Sequence, residues 1–201
     1  MRITKNKIEI LKLFKENIFL SCTIRKISIL LNKSYPKIYD SLKELEKEGI
    51  INIKKVGNSG ICEIKLAKES ISILSFIEGQ EAFSKNIPNI DKILDFEQLF
   101  NDIMIVTGSY AKGKQTKTSD IDLAIITNEN AFEKQKLIEN LTLLFIPEVH
   151  VIFFTVNDFK EMLLGKEQNF GKEVFKNHLI LRNPERYYLI IKEVIGHGFR
   201  G

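Results

Sequence analysis

The stretch IMIVTGSYAKGKQTKTSDIDLAIIT, residues 103–127, decides the fold of the second half of this chain. Its first four residues, IMIV, form an apolar run that predicts a buried strand. Gly108 and Ser109 follow in a turn that enters a short helix, SYAKG. Glycine lets a polyphosphate approach the backbone, and the hydroxyl and N–H groups at a helix start bind it. The segment therefore predicts a strand that leads into a phosphate-binding turn.

Two carboxylates, Asp120 and Asp122, interrupt the next apolar stretch, SDIDLAII. Residues two apart in a strand share one face and lie about 7 Å apart along it. Such a pair suits Mg²⁺, which prefers oxygen ligands and shares its coordination shell with substrate phosphates. The alternative, a solvated aspartate pair beside an exposed turn, explains poorly why both carboxylates interrupt an apolar strand. The pattern therefore predicts a Mg²⁺ site at this strand.

Gly-Ser, ten intervening residues and Asp-x-Asp together resemble the signature of the polymerase β nucleotidyltransferase superfamily, and GSYAKG with SDIDLAII is especially similar to its minimal branch. The motif covers residues 104–126, and a looser similarity reaches about residue 155. The resemblance implies an α/β (α+β) fold with a small mixed sheet and flanking helices. It also implies roles for five residues: Gly108 and Ser109 hold the β- and γ-phosphates of ATP or another NTP, Asp120 and Asp122 bind Mg²⁺ or Mn²⁺, and Lys112 pairs with phosphate or with the acidic site.

The expected third strand, PEVHVIFFT, departs from the superfamily pattern. It follows the predicted helix AFEKQKLIENLTLLF, and His150 stands where the third acidic residue aligns. Glu148 lies two residues earlier, on the same face of a regular strand. Imidazole is a poor Mg²⁺ ligand and a better one for Mn²⁺ or Zn²⁺. Three alternatives stay open: Glu148 replaces the general base, His150 is itself base or ligand, or the site binds nucleotide with weak or no turnover.

The rest of the chain, VNDFKEMLLGKEQNFGKEVFKNHLILRNPERYYLIIKEV, shows two helical patterns. Within it, GKEVFKNHLIL resembles the helix that follows the core in archaeal-type winged-helix nucleotidyltransferases. Residues 171–181 are therefore expected to be helical.

The first third of the chain predicts three helices and a hairpin. Apolar spacing indicates a first helix over residues 5–16, and Thr23 is placed to cap a second. Ser34 is the expected N-cap of the third, which ends at Gly49. Two alternating strands, IINIKKV and ICEIKLA, follow around the turn GNSG. This order is typical of a winged-helix DNA-binding domain.

The stretch YPKIYDSLKELEKEGIINI resembles the recognition helix and following strand of winged-helix transcription regulators. The alternative is a winged helix used only for protein contact or dimerisation. Asp40, Glu44 and Glu48 lie on or near the exposed side of this helix and would repel phosphate. The residues expected to contact DNA are Lys33, Ser34, Tyr35, Lys37 and Lys43 at a groove, and Lys54, Lys55 and Asn58 at phosphates.

Charge divides the chain unequally. Residues 1–68 hold 15 Lys and Arg against 7 Asp and Glu, a net of +8, while the remainder has a net of −4. This change of sign indicates two modules with different partners. The predicted domains are a winged helix over 1–68, a helical linker that is also a candidate homodimer helix over 69–95, and a nucleotidyltransferase domain with C-terminal helices over 96–201.

Composition excludes several classes of protein. Two cysteines, Cys22 and Cys62, are too few for a disulfide framework or a structural zinc site. No apolar run approaches the ~18 residues that span a bilayer, and the first residues lack a secretory cleavage pattern. These features predict buried thiols in a cytoplasmic protein with no membrane partner.

The resemblance implies a metal-dependent enzyme that moves a nucleoside monophosphate, AMP from ATP above all, to a protein or RNA hydroxyl. Minimal nucleotidyltransferases often act as antitoxins that adenylylate a partner toxin, and a winged helix would add DNA binding to such a regulator. The alternative is a winged-helix transcription regulator whose degenerate transferase domain senses nucleotide. A scaffold that binds neither nucleotide nor DNA is a third alternative.

Overall fold

The computed structural model describes residues 3–128 and 130–201. It combines helices with two small sheets, so the mixed α/β class predicted from the sequence is confirmed. Two compact units divide the chain: the first ends at Ile77, and the second is Glu78–Gly201. Every helix in the described ranges is too short or too polar to cross a membrane.

The first unit begins with three helices and a hairpin, as the apolar spacing predicts. Its sheet has the order β1-β3-β2, and both pairings are antiparallel. The elements are α1 (Lys5–Glu16), β1 (Cys22–Thr23), α2 (Ile24–Leu30), α3 (Tyr35–Lys47), β2 (Ile51–Val56) and β3 (Ser59–Ile64).

Helix ends in this unit follow their capping residues. The Thr23 side chain accepts a hydrogen bond from the Lys26 backbone N–H at 3.1 Å, as predicted for the start of α2. Ser34 is the N-cap of α3 by backbone conformation, although its hydroxyl makes no capping hydrogen bond. Gly49 follows α3 with φ +74°, a conformation that glycine adopts without steric cost.

The hairpin turn is tighter than the expected GNSG. Strand β3 already begins at Ser59 and pairs with Val56, so Gly57 and Asn58 alone form the turn. Gly57 has φ +56°, as the two-residue hairpin turns that match strand twist require. The extra pairing extends the sheet by two residues on the β3 side.

Helix α4 (Lys68–Ser84) lies where a helical linker is predicted, and it passes the boundary between the two units. Its residues Ile73 and Ile77 are buried in the core of the first unit, together with Ile10, Phe14 and Leu42. The first half of this helix is therefore part of that core.

The second unit contains a four-stranded mixed sheet of order β6-β5-β4-β7. Strand β4 pairs antiparallel with β5 and β7, whereas β5 pairs parallel with β6. A 3₁₀ turn, Glu97–Leu99, precedes the sheet. The elements are α5 (Ile90–Leu94), β4 (Ile103–Val106), α6 (Gly108–Ala111), β5 (Ile121–Thr127), α7 (Ala131–Thr142), β6 (Val149–Thr155), α8 (Val156–Leu164), α9 (Phe170–Lys176), β7 (Leu179–Arg182) and α10 (Pro184–Gly196).

Strand β7 corrects the expectation of a helix over residues 171–181. Helix α9 ends at Lys176, and Leu179 begins a strand that pairs with Val106 of β4. The three-residue apolar run of Leu179–Leu181 satisfies a helical or a strand pattern equally well, and pairing with a strand more than 70 residues earlier decides between them.

The central position of β4 and β5 explains their composition. All four residues of β4 are buried, and so are six of the seven in β5, because helices cover the sheet and strands flank both. Such strands appear in sequence as continuous apolar runs. The exception in β5 is the second residue, Asp122.

Candidate active site

The turn after β4 lies against Asp122 of the neighbouring strand. The Thr107 backbone N–H donates to the Asp122 carbonyl at 2.9 Å, and Gly108 then turns away with φ +64°. A Cβ on Gly108 would lie 2.0 Å from Asp122 Oδ2. Any larger residue would therefore clash with the carboxylate. The antiparallel pairing of β4 and β5 brings the glycine-serine turn and the aspartate motif together.

Ser109 lies in the short helix α6, which the core anchors through Tyr110. The Tyr110 side chain is buried among Ile87, Ile90 and Ile121. The Ser109 carbonyl accepts the Lys114 backbone N–H at 2.9 Å, and this bond ties down the start of the following loop. Lys112 is exposed on this loop. The residues predicted to hold phosphates thus share one rigid turn and its exposed continuation.

The aspartate pair spans the start of β5. The strand begins at Ile121, so Asp120 immediately precedes it and is not a strand residue as predicted. Asp120 is exposed, and the side chain of Asp122 keeps 42% of its surface accessible. Ile121 between them is fully buried, which keeps the two carboxylates away from the core. Both are accessible to a ligand at the N-terminal end of β5.

His150 stands beside Asp122 on the parallel neighbour β6, where the two residues are register partners. His150 Nδ1 lies 3.9 Å from Asp122 Oδ1, and His150 Nε2 lies 3.4 Å from Glu148 Oε1. Glu148 precedes β6, and its carbonyl accepts the Ile121 N–H at 2.8 Å. The structure therefore brings Asp122, His150 and Glu148 into one row, with the imidazole between two carboxylates.

The two aspartates, Asp120 and Asp122, suit a divalent cation that arrives together with a substrate. Within the described ranges, no group of three or more His, Cys, Asp or Glu side chains is arranged to hold a metal ion. Magnesium commonly binds through one or two carboxylates and completes its shell with waters and substrate phosphates. Asp120 and Asp122 supply such a partial shell. They fit Mg²⁺ shared with a nucleotide better than a closed, protein-only metal site.

A tether from the end of α9 also holds the turn, and the sequence analysis missed it. The Thr107 hydroxyl donates to the Asn177 carbonyl at 2.8 Å, just before β7 pairs with β4. The contact joins residues 70 positions apart. No local pattern marks such a contact, and only the unexpected strand β7 places Asn177 there.

Three of the lysines predicted to contact DNA are paired with glutamates inside the first unit. Lys33 pairs with Glu9 and donates to Asn6 at 2.7 Å. Lys43 Nζ lies 2.8 Å from Glu46 Oε2 on the same helix, and Lys54 Nζ lies 2.7 Å from Glu63 Oε2 across the hairpin. Each of these three positive charges is therefore already compensated by a carboxylate. The other predicted contacts, Ser34, Tyr35, Lys37, Lys55 and Asn58, are exposed.

A cleft of about 630 Å³ in the first unit brings together Tyr35 of α3 and Asn58 of the hairpin turn. Arg25, in the first turn of α2, also lines this cleft and is exposed. The sequence analysis did not include Arg25 among the DNA contacts. The sequence feature that could have indicated Arg25 is its position two residues after the N-cap Thr23, at the start of a helix.

Comparison with known proteins finds a similarity to one protein family within the second unit. Residues 87–181 match the family model of the nucleotidyltransferase domain. The match covers slightly less than half of the chain and includes the glycine-serine turn, both aspartates, Glu148 and His150. It runs from the loop before α5 into β7, so it includes three strands of the mixed sheet in full and most of the fourth.

Other comparisons add little to this match. A solved structure described as a possible transcriptional regulator from Methanosarcina mazei Go1 is 18% identical, with 47% of this chain and 80% of that chain covered and a TM-score of 0.31. At that TM-score the likeness carries no conclusion. Among curated proteins, none matches the sequence.

Proposed function

We propose that the second unit transfers a nucleoside monophosphate, AMP from ATP, to an acceptor hydroxyl and releases pyrophosphate. One observation carries this proposal: Gly108 packs directly against the Asp122 carboxylate, in a domain that matches the nucleotidyltransferase family. A turn suited to polyphosphate and a carboxylate pair suited to a divalent cation thus share one site. The match supports nucleotidyl transfer in general, and the choice of ATP rests on the resemblance described above.

The reaction assigns a task to each side of the site. Gly108, Ser109 and Lys112 bind the β- and γ-phosphates, so that the α-phosphorus lies near Asp120 and Asp122. A divalent cation, Mg²⁺ or Mn²⁺, supplies Lewis-acid stabilisation of the phosphates when it is bound to the two aspartates. The acceptor oxygen forms a bond to the α-phosphorus, the bond to the β-phosphate oxygen breaks, and the hydroxyl proton leaves to a base.

The base is assigned to the pair of His150 and Glu148. With Nε2 3.4 Å from Glu148 and Nδ1 3.9 Å from Asp122, an imidazole that accepts the hydroxyl proton becomes a cation between two carboxylates. Glu148 would also accept a proton directly. Two variants separate these roles: Glu148→Gln keeps the imidazole, and His150→Gln keeps the carboxylate. The variant with the greater loss of kcat identifies the base.

For the first unit we propose a DNA-binding winged helix. Support comes from the element order α1-β1-α2-α3-β2-β3 and from the cleft that Tyr35 and Asn58 share with Arg25. The exposed cations Lys37 and Lys55 would contact phosphates, and Lys33, Lys43 and Lys54 would do so by leaving their glutamates. The assembled protein would then be a cytoplasmic regulator with an enzymatic domain, similar to an antitoxin.

The second candidate function is a transcription regulator that senses nucleotide without transfer. The presence of His150 in place of a third carboxylate, with no three-residue metal site in the described part of the chain, favours this candidate. The two accessible aspartates favour catalysis, because a nucleotide sensor has less use for clustered carboxylates at phosphates.

The deciding experiment follows label from α-³²P-ATP into host lysate with Mg²⁺ or Mn²⁺. The double variant Asp120→Asn/Asp122→Asn tests the site. A matched double variant, Glu133→Gln/Glu185→Gln, removes the same charge from exposed positions on α7 and α10. Label in a discrete band with the wild type and the matched variant alone supports transfer. Absence of label from all three proteins, with metal-dependent ATP binding, supports the sensor.

A further inference from the structure

Four exposed lysines occur in the loop beside the proposed transfer site or next to that loop: Lys85, Lys112, Lys114 and Lys117. We call them the lysine surface. Three of them belong to the loop between α6 and β5, which begins at the phosphate turn and ends at Asp120. Lys85 follows α4, and its Nζ lies 3.5 Å from the point where a Cβ would stand on Gly113 of that loop. All four side chains are exposed.

These charges are not compensated locally. In the described part of the chain, no carboxylate lies within ion-pair distance of any of the four ammonium groups. Two lysines elsewhere in the same unit do have carboxylate partners: Lys134 pairs with Asp102, and Lys160 pairs with Glu193. The lysine surface is therefore a concentration of free positive charge in a part of the sequence whose net charge is negative.

An aromatic ring and a cavity border the lysine surface. Phe83, two residues before Lys85, is 96% exposed. Phe83 and Lys85 both line an open cavity of about 500 Å³, whose apolar lining includes Ile87, Ile90 and Leu181. Asn86 and Asp91 also line it and offer acceptors to ribose hydroxyls or base N–H groups. Its size and mixed lining suit one unstacked nucleoside.

We propose that the lysine surface binds single-stranded RNA and presents its terminal 3′-hydroxyl to the site, which makes RNA the acceptor of the nucleotide. Proteins that bind single strands combine cations that contact the phosphates with exposed aromatic rings on which bases stack. Lys112 keeps its proposed contact with the NTP phosphates, and the other three lysines, Phe83 and the cavity supply these features for RNA. Acceptors for the 2′-hydroxyl favour RNA over DNA. This inference rests on the proposed function, since it names the acceptor of the same site.

Transfer to RNA requires an NTP as its only co-reactant. The 3′-oxygen of the RNA forms a bond to the α-phosphorus, the bond from this phosphorus to the leaving oxygen breaks, and pyrophosphate departs. The hydroxyl proton passes to the His150 and Glu148 pair. The RNA grows by one nucleotide and ends in a new 3′-hydroxyl.

The test uses the full chain and a 20-nucleotide RNA of mixed sequence with a free 3′-hydroxyl, in parallel with DNA of the same sequence. Binding is followed by fluorescence anisotropy between 50 and 200 mM salt, and transfer by label from α-³²P-ATP. The variants are Lys85→Glu/Lys114→Glu and, separately, Phe83→Ala. The control, Lys166→Glu/Lys192→Glu, makes the same charge change at exposed lysines outside the lysine surface. The basic first unit is identical in every protein, so it does not contribute to the differences.

The expected result is label in RNA. The double lysine variant should raise the KM for RNA at least about tenfold and flatten the slope of log Kd against log salt by about 1.4. Phe83→Ala should weaken binding by roughly tenfold, and the control should match the wild type.

Label in a protein band alone, at the same rate in the lysine variants, would overturn RNA as acceptor and leave nucleotidyl transfer intact. Transfer to RNA that neither lysine variant nor Phe83→Ala reduces would overturn the surface. RNA binding with no transfer to RNA, to DNA or to lysate components would reject the acceptor and the proposed function together.

Discussion

The lysines proposed to bind a ligand differ in their local pairing between the two units of this protein. In the first unit, which has the larger net positive charge, Lys33, Lys43 and Lys54 each pair with a glutamate. In the second unit, whose sequence is acidic overall, Lys112 and Lys114 have no such partner among the described residues and flank the proposed active site. The difference shows that a count of charges does not locate the charge available to a ligand. Local pairing decides this availability.

A similar contrast separates the glycines with positive φ. A Cβ added to Gly57 in the hairpin turn would meet no atom within 4 Å. A Cβ added to Gly108 would overlap with the Asp122 carboxylate. One glycine serves backbone conformation alone, and the other also makes room for a functional group. Substitution by alanine separates these two requirements.

The largest effect is expected from Gly108→Ala. Its methyl group would displace Asp122 from the phosphate turn, and transfer should fall at least about a hundredfold, since small misplacements at a reacting centre are costly. Gly57→Ala should lower the free energy of unfolding by only about 1–2 kcal/mol and leave transfer unchanged. Initial rates and urea unfolding curves measure both effects. A Gly108→Ala protein with wild-type transfer would contradict the role of this contact.

The next effect distinguishes a buried ion pair from an exposed one. The Asp102 side chain is 3% exposed, and its Oδ2 lies 2.7 Å from Lys134 Nζ. Both members of the Lys54–Glu63 pair in the first unit remain accessible to solvent. Lys134→Met leaves a buried carboxylate without its cation and should lower the free energy of unfolding by about 3 kcal/mol. Lys54→Met should cost less than about 1 kcal/mol. Equal losses in urea unfolding would refute this distinction.

The third effect concerns Cys62, the buried thiol of the first unit. Burial raises the pKa of Cys62 from 9.0 to about 12, with a smaller contribution from Cys22. The unfolded thiol ionises above pH 9 while the folded thiol stays protonated, so the free energy of unfolding should fall between pH 9 and pH 12. At pH 10 the loss is roughly 1 kcal/mol.

Calorimetry of the wild type and Cys62→Ala at pH 8 and pH 10 measures this loss. The change between the two pH values should be smaller in the variant. The comparison uses differences within each protein, so the packing lost with the thiol cancels. An identical change in both proteins would mean that Cys62 does not contribute to alkaline destabilisation.

The smallest effect is expected from releasing the paired lysines of the first unit so that they can bind DNA phosphates. Replacing Glu9, Glu46 and Glu63 with glutamine removes the three compensating carboxylates. Binding of a duplex DNA of mixed sequence at 50 mM salt should strengthen by roughly two- to fivefold for each substitution if the released lysines contact phosphates. Glu16→Gln is a control at a position on α1 outside these pairs. Unchanged DNA binding in all variants would place the contacts elsewhere on this unit.

Sequence reasoning was most successful where the information is local. The helix predicted over residues 5–16 is α1, and the run IMIV is β4, because capping residues and apolar spacing act over a few positions. The resemblance aligned His150 with the third acidic position of the superfamily, and in the structure the parallel pairing of β5 with β6 places His150 beside Asp122. The functional roles of these residues and the domain boundaries stay predictions.

Contacts between distant parts of the sequence were missed. Strand β7, the bond between Thr107 and Asn177, and the ion pair between Lys134 and Asp102 all depend on tertiary packing. The pairing of Lys33 with Glu9 is of the same kind, so the first unit was expected to have more free charge than it has. The periodicity of a single sequence does not indicate which side chains far apart in the chain are in contact in the fold.

The pairing of β4 with β7 has a consequence for synthesis on the ribosome. Both halves of the candidate site, the phosphate turn and the aspartate pair, leave the exit tunnel long before Leu179 does. Until that residue emerges, β4 is an unprotected sheet edge and Thr107 lacks its Asn177 anchor. A nascent chain therefore carries every candidate residue of the site before it can hold the turn in place, and nucleotide binding should begin only late in translation.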